Sequence, residues 1–279
     1  MNSINSHLQE ILNYEFLPEG IKIGRFFNLV SLVKKGIMIS LSKTLVGGYY
    51  FKAHGAIQIS RHQIYQDAKE LNKDKEIPEG TGFANVRIEM SDHASTHLDS
   101  LNHVAEKGLL FGGIKPRHTY LGFEDLDIEK IPPIFTRGIL LNVKVNEIRE
   151  IGVTDLANAL GNTKVEKGDA AIIYTGWKEE GDEEPGIGIE GAKWLVEKGF
   201  TIFGTDAPRF EYIKKNTKDY FPVHRFLIAE KGLLMMDNMY LEELVKLLEK
   251  ENRKDFLLIA IPLKIKGATA SPINPIALI

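Results

Sequence analysis

The sequence predicts a mixed fold, α/β or α+β, built on a substantial β-sheet. Three observations predict it. Apolar runs of strand length recur along the chain, helical periodicity fills several of the gaps, and neither a low-complexity linker nor a fixed-period repeat divides the whole. In chain order, residues 37–41 read as a first strand and 138–143 as a second, each short and apolar. Thr154 is placed to cap a short helix that runs to Leu160. Residues 170–174 give the next strand, and 191–198 a helix that Gly199 stops. Strands at 201–203 and 233–236 follow. The clearest helix is 240–250, where Leu241, Leu244, Val245 and Leu248 fall at i, i+3, i+4 and i+7 and so share one face. A last strand is expected at 256–261, and the chain, residues 1–279, is read as one domain.

Bulk properties narrow the function. A chain that is 43% hydrophobic can bury a real core, and a net charge of only -3 exerts no general pull toward nucleic acid or acidic membranes, which favours a small-molecule partner. No apolar run approaches the roughly 20 residues of a membrane span, and residues 1–16 lack a basic segment followed by a signal-type apolar stretch. A cytoplasmic protein is expected. The absence of cysteine excludes disulfides, thiolate metal ligands, iron–sulfur clusters and a cysteine nucleophile. Any metal must be held by nitrogen and oxygen.

Three of the eight histidines, His93, His97 and His103, lie within eleven residues that also contain Asp99, in the pattern HxxxHxDxxxH. A single histidine would be read as an exposed loop residue; the set points to metal binding. Imidazole nitrogen and carboxylate oxygen suit zinc and manganese. In an extended chain the Cα atoms of His93 and His97 would be about 13 Å apart, whereas a helical turn or tight bend brings them to about 6 Å, so a bend is required. His97 and Asp99 are two apart and point to the same side of an extended segment. The small residues Ala94, Ser95, Thr96 and Ser100 leave room around them.

This window, HASTHLDSLNH, resembles the hallmark of the cyclase superfamily, close to HTGTHxDAPxH, which includes bacterial kynurenine formamidase and isatin hydrolase. The resemblance continues through TRGILLNV at 136–143, KGDAAIIYTGW at 167–177, PGIGIEGAKWLVEKGFTIFGTDAP at 185–208 and KGATASPINPIAL at 266–278, most of the chain from about residue 80 onward. It implies a barrel-like mixed sheet flanked by helices, of the swivelling β/β/α type. It further implies that His93, His97 and Asp99 hold a divalent zinc or manganese ion, that His103 is the catalytic histidine, and that a later histidine and acid serve the metal. His224 and Asp237 occupy those last places. By the same resemblance the protein is a homo-oligomer, a dimer or tetramer, with its site near a subunit boundary. Its substrate is a small amide: an aryl formamide such as N-formylkynurenine, or a cyclic amide or lactone, opened by activated water while His103 moves protons.

Departures from the hallmark leave some assignments open. The usual glycine is Ser95, the usual proline is Leu101, and the later acid is Asp237 in place of glutamate. Asp237 is one methylene shorter than glutamate, so it reads either as a ligand or as a cap for the helix expected from Tyr240. His224 reads either as a ligand or as a partly buried histidine with a backbone partner. Three other functions compete. The string GIGIEG at 186–191 fits a dinucleotide fingerprint, but the acidic loop KEEGDEEP separates it from the preceding strand and would repel a pyrophosphate. A non-haem iron oxygenase could use His97, Asp99 and His224, and leaves His93 and His103 unexplained. An inactive, metal-stabilised binding module would hold the ion without turnover.

Overall fold

A computed structural model describes residues 28–51, 54–65, 75–78, 81–178, 183–213 and 218–279. The opening segment 1–16 and residues 179–182 of the acidic loop lie outside them. We number the strands of the main sheet along the chain: β1 (Met38–Ser40), β2 (His97–Asp99), β3 (Ile134–Asn142), β4 (Ala170–Tyr174), β5 (Ile202–Thr205), β6 (Leu234–Asp237), β7 (Asp255–Ala260), β8 (Ala270–Pro272) and β9 (Ile276–Leu278). Their spatial order is β1-β9-β7-β3-β4-β5-β6-β2-β8. The nine strands curl into a half-barrel with few helices, the mixed α/β architecture expected.

The middle of the sheet is parallel and its flanks are antiparallel. β3, β4, β5 and β6 run parallel in succession. Parallel neighbours need crossover connections, which here carry α1 (Val153–Leu160), α2 (Ile189–Lys198) and α3 (Pro222–His224). β4, β5 and β6 are almost wholly buried, which is why they read in the sequence as unbroken apolar runs instead of alternating ones. β3 begins at Ile134, before the apolar run that announced it, because β7 pairs with it from Ile134 to Ile139. The polar Thr136 inside this extension is fully buried and donates its hydroxyl to the Gly168 carbonyl at 2.7 Å. Its hydrogen bond makes burial affordable.

Helix boundaries differ from expectation by one or two residues. Thr154 sits inside the first turn of α1, and the capping position is Gly152, whose N–H is held by the Asp155 carboxylate at 3.0 Å. α2 starts two residues early and ends where Gly199, at φ +108°, turns its N–H back onto Leu195 and Val196. α4 (Glu242–Lys250) starts two residues late. The chain before it is tied down instead: the N–H groups of Asn238, Met239 and Tyr240 bond the carbonyls of Ala207, Thr205 and Leu41. Asp237 is therefore the last residue of β6 and does not cap this helix. Leu244, Val245 and Leu248 of α4 are buried as the periodicity required, each contributing about 1.5–3 kcal/mol by removal from water. Outside the main sheet, Gln58–Gln63 and Asn85–Glu89 form an antiparallel hairpin on which Ile59, Val86 and Ile88 are exposed. Among the described residues, no helix is long and apolar enough to cross a membrane.

Candidate metal centre

The bend demanded by the histidine spacing occurs at Ser95, whose φ is +60°. This is the left-handed region that glycine enters freely and serine at a cost. The reversal brings the rings of His93 and His97 to 5.0 Å between centroids. Beyond it the chain enters β2, where Leu98 is buried while His97 and Asp99 share the other face. Thr96 fixes the entry: its hydroxyl donates to the Asn238 carbonyl at 2.6 Å and accepts the Lys43 N–H.

Asp237 arrives through register. β2 pairs antiparallel with β6 so that His97 lies opposite Asp237, and directly opposed residues have Cβ atoms about 4.5–5.5 Å apart. The aspartate side chain therefore reaches the same cluster as His97 and Asp99. A turn closed by the His103 N–H on the Ser100 carbonyl folds His103 back, with its Nε2 4.0 Å from Asp99 Oδ2 and its ring 4.1 Å from that of His93. From α3, His224 Nε2 stands 3.9 Å from Asp99 Oδ2 and 3.8 Å from Asp237 Oδ2. The structure thus gathers all six residues singled out in the sequence. Two groups, His93 with Asp99 and His103, and His97 with Asp99 and Asp237, each bring their ligand atoms within 4.8 Å of one another, with Asp99 common to both.

The outer nitrogens of three rings are already committed. His97 Nδ1 donates to the Ser95 carbonyl at 2.9 Å. His93 Nε2 donates to Thr269 Oγ1 at 2.9 Å, because that hydroxyl gives its own proton to Asp92 Oδ2 at 3.0 Å. His224 Nδ1 donates to Glu211. The inner nitrogens are thus the ones open to a cation or a second proton, His93 Nδ1 at 3.0 Å and His97 Nε2 at 3.4 Å from Asp99 Oδ1. Both oxygens of Asp99 and Oδ1 of Asp237 are buried without a hydrogen bond. Lone pairs facing carboxylate oxygens repel unless a cation or a proton lies between them, and this donor set of nitrogen and oxygen fits a divalent ion.

The protonation pattern has the same cause. Burial works against charge on His97 and His224, yet Asp99 beside the first and Asp237 and Glu211 beside the second raise them to about 9 and about 10. Burial also opposes the Asp99 anion, but His103, His93 and His97 hold it well below the usual carboxylate range. His103 goes the other way: burial and the neighbouring imidazoles lower it to about 4, against the pull of Asp99. Its side chain is 23% exposed, against 8% for His93 and 6% for His97, so among these rings it has the freest access to solvent.

Several neighbours carried no sequence signal. His54 stacks on His93 with centroids 5.6 Å apart, and burial followed by repulsion from His93 and His97 lowers it to about 4. Five of the chain's eight histidines thus meet at one place. Asp92 and Thr269 support His93, Glu211 supports His224, and Phe221, at φ +56°, lays its ring 4.8 Å from that of His224. The glycines of GIGIEG do not form a phosphate cradle. The Glu150 carboxylate lies against Gly188, where an anion would be repelled. The iron-oxygenase triad of His97, Asp99 and His224 is present, but His93, His103 and Asp237 converge on the same Asp99, so the centre has more donors than that triad uses.

A buried cluster of histidine and aspartate on the next-to-last strand of a curled mixed sheet makes this a candidate metal-site protein. The chain matches the Putative cyclase family over residues 29–212, and it belongs to that family. It is 29% identical over 200 residues to the kynurenine formamidase of Erythrobacter litoralis, an alignment covering 70% of this chain and 76% of that one. A crystal structure of a novel cyclase superposes with a TM-score of 0.80 at 25% identity, covering 96% of this chain and 95% of the other. Isatin hydrolase A from Labrenzia aggregata, bound to benzyl benzoate, shares the fold at a TM-score of 0.64 and 18% identity, covering 90% and 98%.

Proposed function

We propose that this chain is a metal-dependent hydrolase that opens a small amide-type substrate, an aryl formamide such as N-formylkynurenine or a cyclic amide or lactone. The observation that carries the reading is the convergence of inner imidazole nitrogens and unpartnered carboxylate oxygens on one buried point. His93, His97, Asp99, His224 and Asp237 would hold the ion, zinc or manganese. When bound, such an ion supplies Lewis acidity and brings the pKa of its water toward about 7. His103 is the proton carrier: uncharged near neutrality and partly open to solvent, its Nε2 takes a proton from the attacking water and returns it to the departing nitrogen or oxygen. The His93 ring, 4.1 Å away, and Asp99, at 4.0 Å from Nε2, flank that ring. Kinship with the kynurenine formamidase of E. litoralis supports the amide class. The same reading makes the protein a cytoplasmic homo-oligomer.

The test combines elemental analysis with a proton-release screen over aryl formamides, cyclic amides and lactones. About one equivalent of zinc or manganese and turnover abolished by chelation are expected. Stoichiometric metal with no turnover across the panel would favour the binding-module reading, and absence of metal after growth with both ions would sink the metal centre itself.

A further inference from the structure

We propose that Glu211 is the positioning residue of the centre, and that the glycine segment 186–188 is the backing that holds Glu211 in place. The proposal rests on the reading of His224 as a ligand. Glu211 is fully buried, follows the core residue Phe210, and has no solvent to satisfy its side chain. A buried carboxylate is costly unless hydrogen-bonded, and this one spends its acceptors on a single neighbouring turn. Oε2 accepts the Val223 N–H at 3.1 Å, Oε1 accepts the His224 N–H at 3.0 Å, and Oε1 also accepts Nδ1–H of the His224 ring.

Those contacts decide two things about His224 at once. Holding both its backbone N–H and its ring leaves the imidazole little rotational freedom. Accepting from Nδ1 keeps a proton there and leaves Nε2 as the nitrogen a metal would take in exchange for a proton, the atom facing Asp99 and Asp237 at 3.9 and 3.8 Å. Ligands each about 2.0–2.2 Å from a common ion lie about 3–4 Å from one another, so the ring stands at ligand spacing. On its other flank Phe221 closes the space.

Glu211 in turn is located by the segment that mimics a nucleotide fingerprint. Ile187 bridges to it in parallel, with its N–H on the Phe210 carbonyl at 2.9 Å and its carbonyl accepting the Tyr212 N–H at 3.2 Å. Gly186 makes this approach possible, since a Cβ there would overlap the peptide between Glu211 and Tyr212. Gly186 and Ile187 pair on their other side with Glu150 and Ile151, at the entry to α1. The glycines are thus explained by the backbone they admit.

The experiment measures zinc affinity by chelator competition in the parent, Glu211→Gln, Gly186→Ala and His224→Ala, and reads the His224 tautomer by nitrogen-15 NMR with and without zinc. Glu211→Gln should weaken zinc about 10- to 100-fold, the usual worth of a residue that orients a metal-binding histidine, and should relax the tautomer. Gly186→Ala should do the same without altering Glu211 chemically. Unchanged affinity and tautomer in Glu211→Gln, while His224→Ala loses zinc, would overturn the proposal and leave the centre standing. Full zinc affinity in His224→Ala would instead overturn the ligand reading. Should the variants fail to fold, the zinc-loaded parent decides alone: an Nδ1–H signal shifted by a carboxylate partner supports the proposal, and a ring protonated on Nε2 and bare at Nδ1 refutes it.

Discussion

Replacing Asp237 by asparagine keeps the side chain's shape and removes its charge, in a residue that is 3% exposed and opposite His97 in the β2–β6 register. In the metal-free protein the effect should be small. Burial and the neighbouring Asp99 both raise the Asp237 carboxyl, so relief from them offsets the lost attraction to His224. With metal present the balance changes, because a buried charge loses its counter-charge. Breaking a buried pair costs about 3–5 kcal/mol, and the lower figure applies here because Asp99 remains, which corresponds to about 100-fold in affinity. At a metal concentration about 1,000 times the parent's Kd, binding stabilises the parent by about 4.1 kcal/mol and the variant by about 1.4 kcal/mol. The difference, about 2.7 kcal/mol, is worth about 5–10 °C in Tm for a chain of this size. Thermal melts with chelator and with saturating zinc provide the assay. An equal zinc-induced rise in Tm for parent and variant would show that Asp237 does not hold the ion.

Four further outcomes are expected. His97→Ala should lose the bound metal, and normal occupancy by elemental analysis would remove His97 from the ligand set. His103→Ala should keep the metal and lose about 10²- to 10⁴-fold in turnover together with one limb of the pH profile, whereas joint loss of metal and activity would make His103 a ligand. Ser95→Gly should raise stability by up to about 1 kcal/mol, the left-handed penalty of about 1–2 kcal/mol less the added chain entropy of glycine; a fall in Tm would mean that the serine side chain stabilises the bend. Sedimentation should find a homo-oligomer, and exposed Ile59, Val86 and Ile88 on the hairpin are a surface that a second copy would cover; a monomer at working concentration refutes this.

β4, β5 and β6 were legible because both of their faces are buried and burial writes itself as an apolar run. The run at 170–174 coincides with β4 at both ends for that reason. β1 was legible although its Met38 and Ser40 are exposed. β2 and β8 were not, since His97–Asp99 and Ala270–Pro272 are three residues long and contain too few apolar side chains to announce a strand. They are strands by virtue of their partners, and β2 carries the centre. His93, His97, Asp99 and His103 were legible because their spacing is local. His224 could be found only by resemblance, and whether Asp237 was ligand or cap turned on how far β6 extends. His54 and Glu211 reach the centre through tertiary contacts that leave no trace in nearby residues.

A motif names residues that own ligand atoms, but an imidazole has two nitrogens and only the one turned inward can serve. The choice is made by whatever takes the outer proton. For His97 that partner is the Ser95 carbonyl, two residues away, so the same left-handed bend that brings His93 and His97 together also sets the His97 tautomer. For His93 it is Thr269, reached only because β8 pairs with β2 and holds the hydroxyl against Asp92. For His224 it is Glu211, reached only because Gly186 lets two backbones touch. One of the three choices is therefore made inside the motif and two by the fold around it. Keeping all the motif residues while losing β8 pairing or the Gly186 contact would leave the candidate ligands present and their inner nitrogens free to turn away from the centre.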